Sequence, residues 1–332
     1  MVKIAIAGAS GQLAREILDG LAETGKHEII GLVRKDPKLL PKPRGVRWAQ
    51  TNYENKSQLV HLLRGVHTVL CFFISHKDPG GVSQKRLIDA AIEAGVERYA
   101  ASEWSIGSKL ENVRDAVPWY SSKLDVRMYL QELNQKEKVL EYTLFHPGLF
   151  MNYLGYPRQT TKHITVFPLL FDFDRMRAIV GEQSLDAKIA YTAVEDIVGV
   201  VARAVEYEGE WPTVGGVVGS QVTVAQLLEL GEKIRGRPFD IEWVKEEDAQ
   251  VGSVKVSWLP PLDSQVLAEV PMEQQEAFQT AVVTGTLVAV TGGAWETTEE
   301  WNQLLPDYKF TSLERFLKQV WESTLAATGI SR

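Results

Sequence analysis

The chain is poor in cysteine, in clustered positive charge and in long apolar runs, and each shortage removes a class of protein. Its single cysteine, Cys71, allows no intrachain disulfide and no cysteine-built metal cluster. A reducing, cytoplasmic setting is the expectation. Lys and Arg number 36 against 43 Asp and Glu, a net charge of -7, and no basic run is dense enough to neutralise a phosphate backbone. No direct nucleic-acid partner is therefore expected. No apolar run reaches the roughly 18 residues of a membrane span. The N-terminus opens directly on Val2-Lys3-Ile4-Ala5-Ile6-Ala7, without the apolar h-region and cleavage site of a signal peptide. A nucleophilic serine lacks its Gly-x-Ser-x-Gly elbow, and Cys71 lies in an apolar strand-like run where it reads as an inert filler. The acidic pairs Asp172 with Asp174 and Glu246 with Glu247 have no histidine at ligand spacing. They read as solvated loop charges, and no metal site is expected.

What is present is an ordinary globular composition, 45% hydrophobic and 24% charged over 332 residues. At about 150 residues per domain this length corresponds to roughly two domains, or one large domain with a lobe attached. From Val2 to Pro147 short apolar runs alternate with helical-period segments, the pattern of βαβ units and a parallel sheet. The expected strands are Lys3 to Ala7, Glu28 to Val33, Val46 to Trp48, Thr68 to Phe73, Arg98 to Ser102 and Tyr142 to His146. Leu13, Ile17 and Leu21 form one apolar stripe over Gln12 to Glu23, and similar stripes precede Gly65 and Gly95. The sequence thus predicts a Rossmann-type, doubly wound α/β sheet over residues 1–150. Residues 151–332 read as a smaller C-terminal α/β substrate lobe, with some segments returning to the first domain. Three capping boxes are expected there, at Thr192 with Glu195, Thr223 with Gln226 and Thr311 with Glu314. The helix after Thr223 should close at Gly236, just before Pro238.

Directly after the first strand stands Gly8-Ala9-Ser10-Gly11-Gln12-Leu13-Ala14. A diphosphate needs a tight turn, close backbone approach and free amides at a helix N-terminus. Glycines at this spacing between strand and helix meet those needs, and Ala14 replaces the third glycine, whose task is close packing. Gly8, Ser10, Gly11, Gln12 and Leu13 are therefore the expected dinucleotide contacts. The second strand ends at Val33-Arg34-Lys35, the position that faces the adenosine ribose. Arg34 offers planar donors and fixed charge to a 2′-phosphate, with Lys35 or Lys38 as a second cation, which favours NADPH over NADH. Asp36 lies close by, and the outcome depends on which side chain turns inward. Phe73 and Ser102 end strands at the carboxyl edge of the sheet and complete the expected cofactor contacts. Glu103 reads as a loop anchor, His76 as a surface-loop residue, and His146 receives no catalytic role.

Taken together, the glycine turn, Arg34, the stretch from Ile92 to Trp104 (IEAGVERYAASEW), Ser121 to Arg127 (SSKLDVR) and Phe150-Met151-Asn152-Tyr153 resemble a known family. With Asp186, the segment Thr192 to Ile197 and the stretch Gly293 to Trp301, they resemble the NmrA-like, isoflavone-reductase-like branch of the atypical short-chain dehydrogenase/reductases over almost the whole chain. The resemblance implies a Rossmann domain bearing NADPH/NADP+ and a C-terminal lobe that closes an apolar pocket over the nicotinamide. It also implies that Lys123, near the start of the helix before the last core strand, acts in catalysis and contacts the cofactor. A lysine in that setting has its ammonium destabilised by desolvation, which suits proton transfer or stabilisation of an enolate-like oxygen. Tyr120 lies three residues earlier, so the Tyr-x-x-x-Lys spacing of ordinary dehydrogenases is missing and Trp119 stands in the tyrosine's place. Tyr120 remains a candidate catalytic or substrate contact.

Aromatic residues gather where the pocket is expected: Trp104, Trp119, Tyr120, Phe150 and Tyr153, with Phe167, Phe171, Phe173 and Trp258 from the second lobe. They suit a small, apolar, aromatic or polyketide-like substrate. The leading expectation is an NADPH-dependent reductase of secondary metabolites, monomeric or homodimeric, acting on an activated double bond, benzylic carbon or carbonyl. Two other readings stay open: a non-catalytic NAD(P)-sensing regulatory protein, and a redox-neutral cyclase or isomerase on the same fold.

Overall fold

A parallel sheet buried on both faces needs strands that are apolar throughout, and the first strand, β1 (Lys3–Ala7), has four of its five residues fully buried. In the computed structural model, which describes residues 1–41 and 43–322, six more strands join it. They are β2 (Glu28–Val33), β3 (Val46–Gln50), β4 (Thr68–Cys71), β5 (Arg98–Ala100), β6 (Glu141–His146) and, much later in the chain, β11 (Val214–Gly216). Their order is β11-β6-β5-β4-β1-β2-β3, and every neighbouring pair runs parallel. The chain therefore forms a Rossmann-type α/β sheet. Its order reverses between β1 and β4, which opens a crevice outside the carboxyl ends of those strands.

Helices cover both faces. On one side α1 (Gln12–Thr24) buries Ile17, Leu18 and Leu21 against Ile4, Ile6 and the apolar stripe of α5 (Val194–Ala204). On the other, α2 (Lys56–Leu63), α3 (Val82–Glu93) and α4 (Ser121–Leu133) press Leu59, Leu87 and Val126 onto β1, β4 and β5. Each buried leucine or isoleucine contributes about 1.5–3 kcal/mol through removal from water.

Two expected strands end early. Both β4 and β5 stop two residues before the sequence suggested, because Phe73 and Ser102 turn toward each other and the Ser102 hydroxyl donates to the Phe73 carbonyl at 2.7 Å. Strand β3 runs two residues further than expected, to Gln50.

The remaining chain builds two small sheets. One orders β12 (Ser220–Thr223), β10 (Lys188–Thr192) and β7 (Leu149–Phe150). The other orders β13 (Asp240–Val244), β9 (Arg177–Gly181) and β8 (Phe171–Asp172). They share a core with α6 (Val224–Arg235), α9 (Gln275–Thr291) and α11 (Leu313–Trp321). Shorter α-helices are α7 (Glu246–Gln250), α8 (Ser264–Leu267) and α10 (Glu300–Leu304), and short 3-10 turns such as Ser108–Val113 and Met151–Gly155 lie between the larger elements.

Of the three expected capping boxes one forms. Thr223 accepts from Gln226 N at 3.1 Å while the Gln226 side chain accepts from Thr223 N at 2.9 Å, and α6 ends at Gly236 in the left-handed conformation. Helix α5 instead takes Ala193 as its cap residue, and the Asn152 side chain accepts from Val194 N at 2.8 Å. Thr192 is diverted, its hydroxyl donating to the Val217 carbonyl. The third helix starts one residue late, with Ser312 accepting from Arg315 N. Asp172 also departs from expectation: it is buried and holds Arg177 Nε at 3.0 Å and Arg175 N at 3.0 Å, so it is a structural ion-pair partner and not a solvated charge.

Candidate cofactor and active site

The turn from Ala7 to Gln12 is shaped by its backbone. Gly8 adopts φ 73°, and a Cβ there would stand 2.7 Å from the Phe72 carbonyl oxygen, so only glycine fits. Gly11 N donates to Gly8 O at 2.9 Å, and Gly11 caps α1 with no side chain capping the helix amides. Ala14 is fully buried where the third glycine would pack. An uncapped helix N-terminus beside a turn that admits no side chain fits a dinucleotide diphosphate, since the amides and the helix dipole both favour an anion. Ser10 is exposed at the turn and Leu13 is half-buried against the α1 core. The Gln12 side chain is engaged elsewhere: its amide nitrogen donates to Asp263 at 2.7 Å and to Thr165 at 3.0 Å, and its oxygen accepts from Thr165 N. With the Lys77–Glu269 ion pair, these contacts tether the segment around α8 to the sheet side of the molecule.

At the end of β2 Arg34 and Asp36 take different directions. Asp36 turns back to accept from Lys38 N at 2.9 Å and caps the short turn Pro37–Leu39. Arg34 and Lys35 stand exposed, and the Arg34 guanidinium lies 5.9 Å from the centre of the Tyr53 ring. Tyr53 is a contact that no sequence motif marks. It sits in the loop after β3 with φ 65°, accepts from Gly8 N at 2.9 Å and donates to Leu32 O at 2.7 Å, and its ring meets Phe73 edge-on.

Across the crevice, Lys123 occupies the first turn of α4 and is only 7% exposed. Its ammonium donates to the carbonyl oxygens of Ser102, at 2.8 Å, and Glu103, and lies 5.2 Å from the centre of the Tyr120 ring. Burial lowers its pKa to about 8, partly offset by the charge of Glu103. The Tyr120 hydroxyl reaches Ser105 Oγ at 3.3 Å, and Trp119 packs edge-on to Tyr120. Phe150, Tyr153 and Phe167 form a second aromatic row, with neighbouring ring centres 5.4 and 4.5 Å apart. Behind that row an apolar cavity is lined by Leu149, Tyr153, Leu154, Phe171, Tyr191 and Thr286. The buried Tyr191 hydroxyl has no hydrogen-bond partner.

Two sequence expectations change here. The Ser102 hydroxyl, expected to donate to a ligand, donates to Phe73 O instead, and the residue's carbonyl is what serves Lys123. Trp104, expected at the substrate wall, is sandwiched between Phe72 and Phe145 with ring centres 4.5 and 4.9 Å away, and its indole N–H donates to Cys71 O. That places its ring in the core under the crevice. Phe73 shares an edge contact with Tyr53, so it reaches the crevice from beside the glycine turn.

Glu103 is buried and paired through both carboxylate oxygens with Arg127, at 2.9 and 2.7 Å. Its burial alone would raise its pKa, but Arg127 overrides this and holds the carboxyl well below the usual range. His146 Nε2 lies 3.2 Å from Arg127 and 3.6 Å from Glu103, and burial lowers the imidazole's pKa. This cluster anchors the loop that supplies carbonyls to Lys123. His76 stands exposed on its loop. Among the described residues no group of three His, Cys, Asp or Glu side chains is arranged to hold a metal, and no helix is long and apolar enough to cross a membrane.

The fold recurs in known proteins. An oxidoreductase of Metarhizium robertsii, swnN, is 27% identical over 280 residues, covering 76% of this chain and 80% of the relative. Leucoanthocyanidin reductase of Vitis vinifera, solved as a binary complex with NADPH, superposes with a TM-score of 0.68 at 16% identity, covering 96% of this chain and 99% of that one. An NADPH-dependent quinone oxidoreductase of Escherichia coli, complexed with NADPH, gives a TM-score of 0.65 at 18% identity, covering 96% and 99% of the two chains. Residues 2–317 match the model of the NmrA-like family. The chain, from its glycine turn to its last described helix, belongs to the NmrA-like family.

Proposed function

We propose that this protein is an NADPH-dependent reductase that transfers hydride to an activated double bond, benzylic carbon or carbonyl of a small aromatic or polyketide-like metabolite. The observation that carries the reading is the Lys123 ammonium, buried at the carboxyl edge of the sheet, held by two backbone carbonyls and set beside Tyr120. A buried lysine with a pKa of about 8 is poised to give up a proton near neutrality, which a protein that merely sensed a dinucleotide would not need. The names of the relatives and the NADPH in the structural neighbours point the same way.

In this reading residues 1–150 hold the cofactor and the later segments mainly shape the substrate pocket. The turn carrying Gly8, Ser10, Gly11, Gln12 and Leu13 receives the diphosphate, with the Gly8 amide held by Tyr53, while Arg34 and Lys35 meet the 2′-phosphate and Phe73 flanks that turn. NADPH, when bound, supplies the hydride. The chain's own residues do the rest. Trp119, Tyr120, Phe150 and Tyr153 wall the substrate and exclude water. The Lys123 ammonium passes a proton to the oxygen on which negative charge develops, leaving a neutral amine that is reprotonated from solvent. The carbonyls of Ser102 and Glu103 fix the direction of that donor.

The test is turnover of NADPH, followed by loss of nicotinamide absorbance, with a panel of quinones, aryl enones and benzylic ethers as acceptors. Acceptor-dependent oxidation by the wild type that is lost in Lys123→Met supports the reading. Oxidation unaffected by that substitution contradicts the role of Lys123, and an inert panel with conversion of a substrate at constant NADPH would favour redox-neutral chemistry.

A further inference from the structure

We propose that Tyr53 is a positioning residue for the dinucleotide, one side chain that locks the first glycine of the phosphate turn through its hydroxyl and supports the 2′-phosphate clamp Arg34 through its ring. The inference rests on the cofactor reading above and goes beyond it to a residue outside the glycine motif.

Every polar group of Tyr53 is engaged. Its backbone N–H donates to Thr51 Oγ1 at 3.1 Å, and its carbonyl accepts from Arg86 at 2.9 Å. Its hydroxyl accepts from Gly8 N at 2.9 Å and donates to Leu32 O at 2.7 Å. Ala9 N also donates to Leu32 O, so the start of the glycine turn is tied to the end of β2 on both sides. Burial raises the pKa of the phenol, which keeps its proton on the oxygen and preserves the donor side of the pair. The ring then bridges two cofactor-facing positions, meeting Phe73 at a centroid distance of 4.6 Å and lying 5.9 Å from the Arg34 guanidinium.

The backbone argues that this arrangement is selected for more than packing. At φ 65° the residue sits in the left-handed region, which favours glycine or asparagine and strains a bulky side chain. Yet Tyr53 is 2% exposed and is held from four sides. A filler of the same volume would sit without strain in the ordinary conformation. A tyrosine kept in the strained one delivers its hydroxyl to Gly8, 45 residues earlier in the chain, and its ring to Arg34. Phosphate recognition by backbone amides depends on where those amides point, so a residue that fixes Gly8 acts on the diphosphate without touching it.

The experiment is calorimetric titration of the full-length wild type, Tyr53→Phe and Tyr53→Leu with NADPH and with NADH, alongside hydrogen exchange at the Gly8 amide. Tyr53→Phe is expected to weaken both coenzymes by about five- to tenfold, with an unchanged ratio and faster exchange at Gly8. Tyr53→Leu is expected to lower the NADPH-to-NADH ratio by threefold or more as well, because Arg34 loses its ring. If one variant fails to fold, the other still decides its own arm. Wild-type affinities and ratio in both variants would overturn the proposal, as would an equal loss for both coenzymes in Tyr53→Leu with normal exchange at Gly8 in Tyr53→Phe. A wild type that binds neither coenzyme would overturn the cofactor reading and this proposal with it, whereas normal wild-type binding with unaltered variants overturns this proposal alone.

Discussion

Lys123 donates from its buried ammonium to the carbonyl oxygen of Ser102 at 2.8 Å, and this contact joins the first turn of one helix to the carboxyl end of a central strand. The ammonium is thereby held at the carboxyl edge of the sheet, on the carbonyls of Ser102 and Glu103. The ion pair of Glu103 with Arg127 fixes the same loop from below. Lys123, the strand end and the Glu103–Arg127 anchor thus form one connected unit.

Burial lowers the pKa of Lys123 to about 8, so the protonated donor is lost as pH rises through that value. kcat/KM for NADPH-dependent reduction should be flat below pH 8 and fall about tenfold per unit above it. A flat profile up to pH 10 would remove Lys123 as the proton source.

Replacing Lys123 with Met removes the donor while keeping most of the apolar stem. Turnover should drop by about a hundredfold or more, with NADPH affinity changed little. The alkaline limb should vanish from the residual activity. Single-turnover oxidation of NADPH is the measurement, because it separates chemistry from release.

Arg127→Met leaves Glu103 buried without its partner. A broken buried pair costs about 3–5 kcal/mol, and urea unfolding should show that loss as a lower midpoint with an unchanged slope. Replacing Glu103 with Leu in the same chain should restore part of the stability, since the buried carboxylate that lost its Arg127 partner is then gone. A midpoint unmoved by Arg127→Met would mean that the pair is solvated in solution.

Gly8→Ala forces a Cβ to within 2.7 Å of Phe72 O at a φ of 73°. The turn must shift, and NADPH binding should weaken by at least tenfold while far-ultraviolet circular dichroism is retained. Gly25→Ala is the control, because Gly25 has a similar φ of 64° but nothing within 4 Å. It should cost stability without touching cofactor affinity.

Much of the fold is legible in the sequence. The strand Lys3–Ala7, the glycine turn and Arg34 are local signals, and a parallel sheet buried on both faces writes itself as apolar runs. What escaped was non-local. Strand β11 is only Val214–Gly216, too short and too rich in glycine to carry a strand signal, and it joins the sheet through pairing with β6 some 70 residues earlier. Tyr53 has the sequence of an ordinary loop aromatic, and neither its left-handed backbone nor its bond to Gly8 leaves a trace in spacing. Ser102 and Trp104 lie just beyond the end of β5, and their polar side-chain atoms bond to the backbone at Phe73 and Cys71, which only packing decides. Thr192 shows the same limit, since its cap pattern loses to a carbonyl brought close by tertiary contact.

The most direct test of the account is a calorimetric titration of the wild type and Arg34→Ala with NADPH, NADP+, NADH and NAD+ in one buffer at fixed salt. The account predicts that the wild type prefers NADPH to NADH by about tenfold or more, equivalent to about 1.4 kcal/mol, and that Arg34→Ala abolishes the preference while leaving NADH affinity nearly unchanged. Equal affinity of the wild type for NADPH and NADH, or no binding of any dinucleotide, would contradict it.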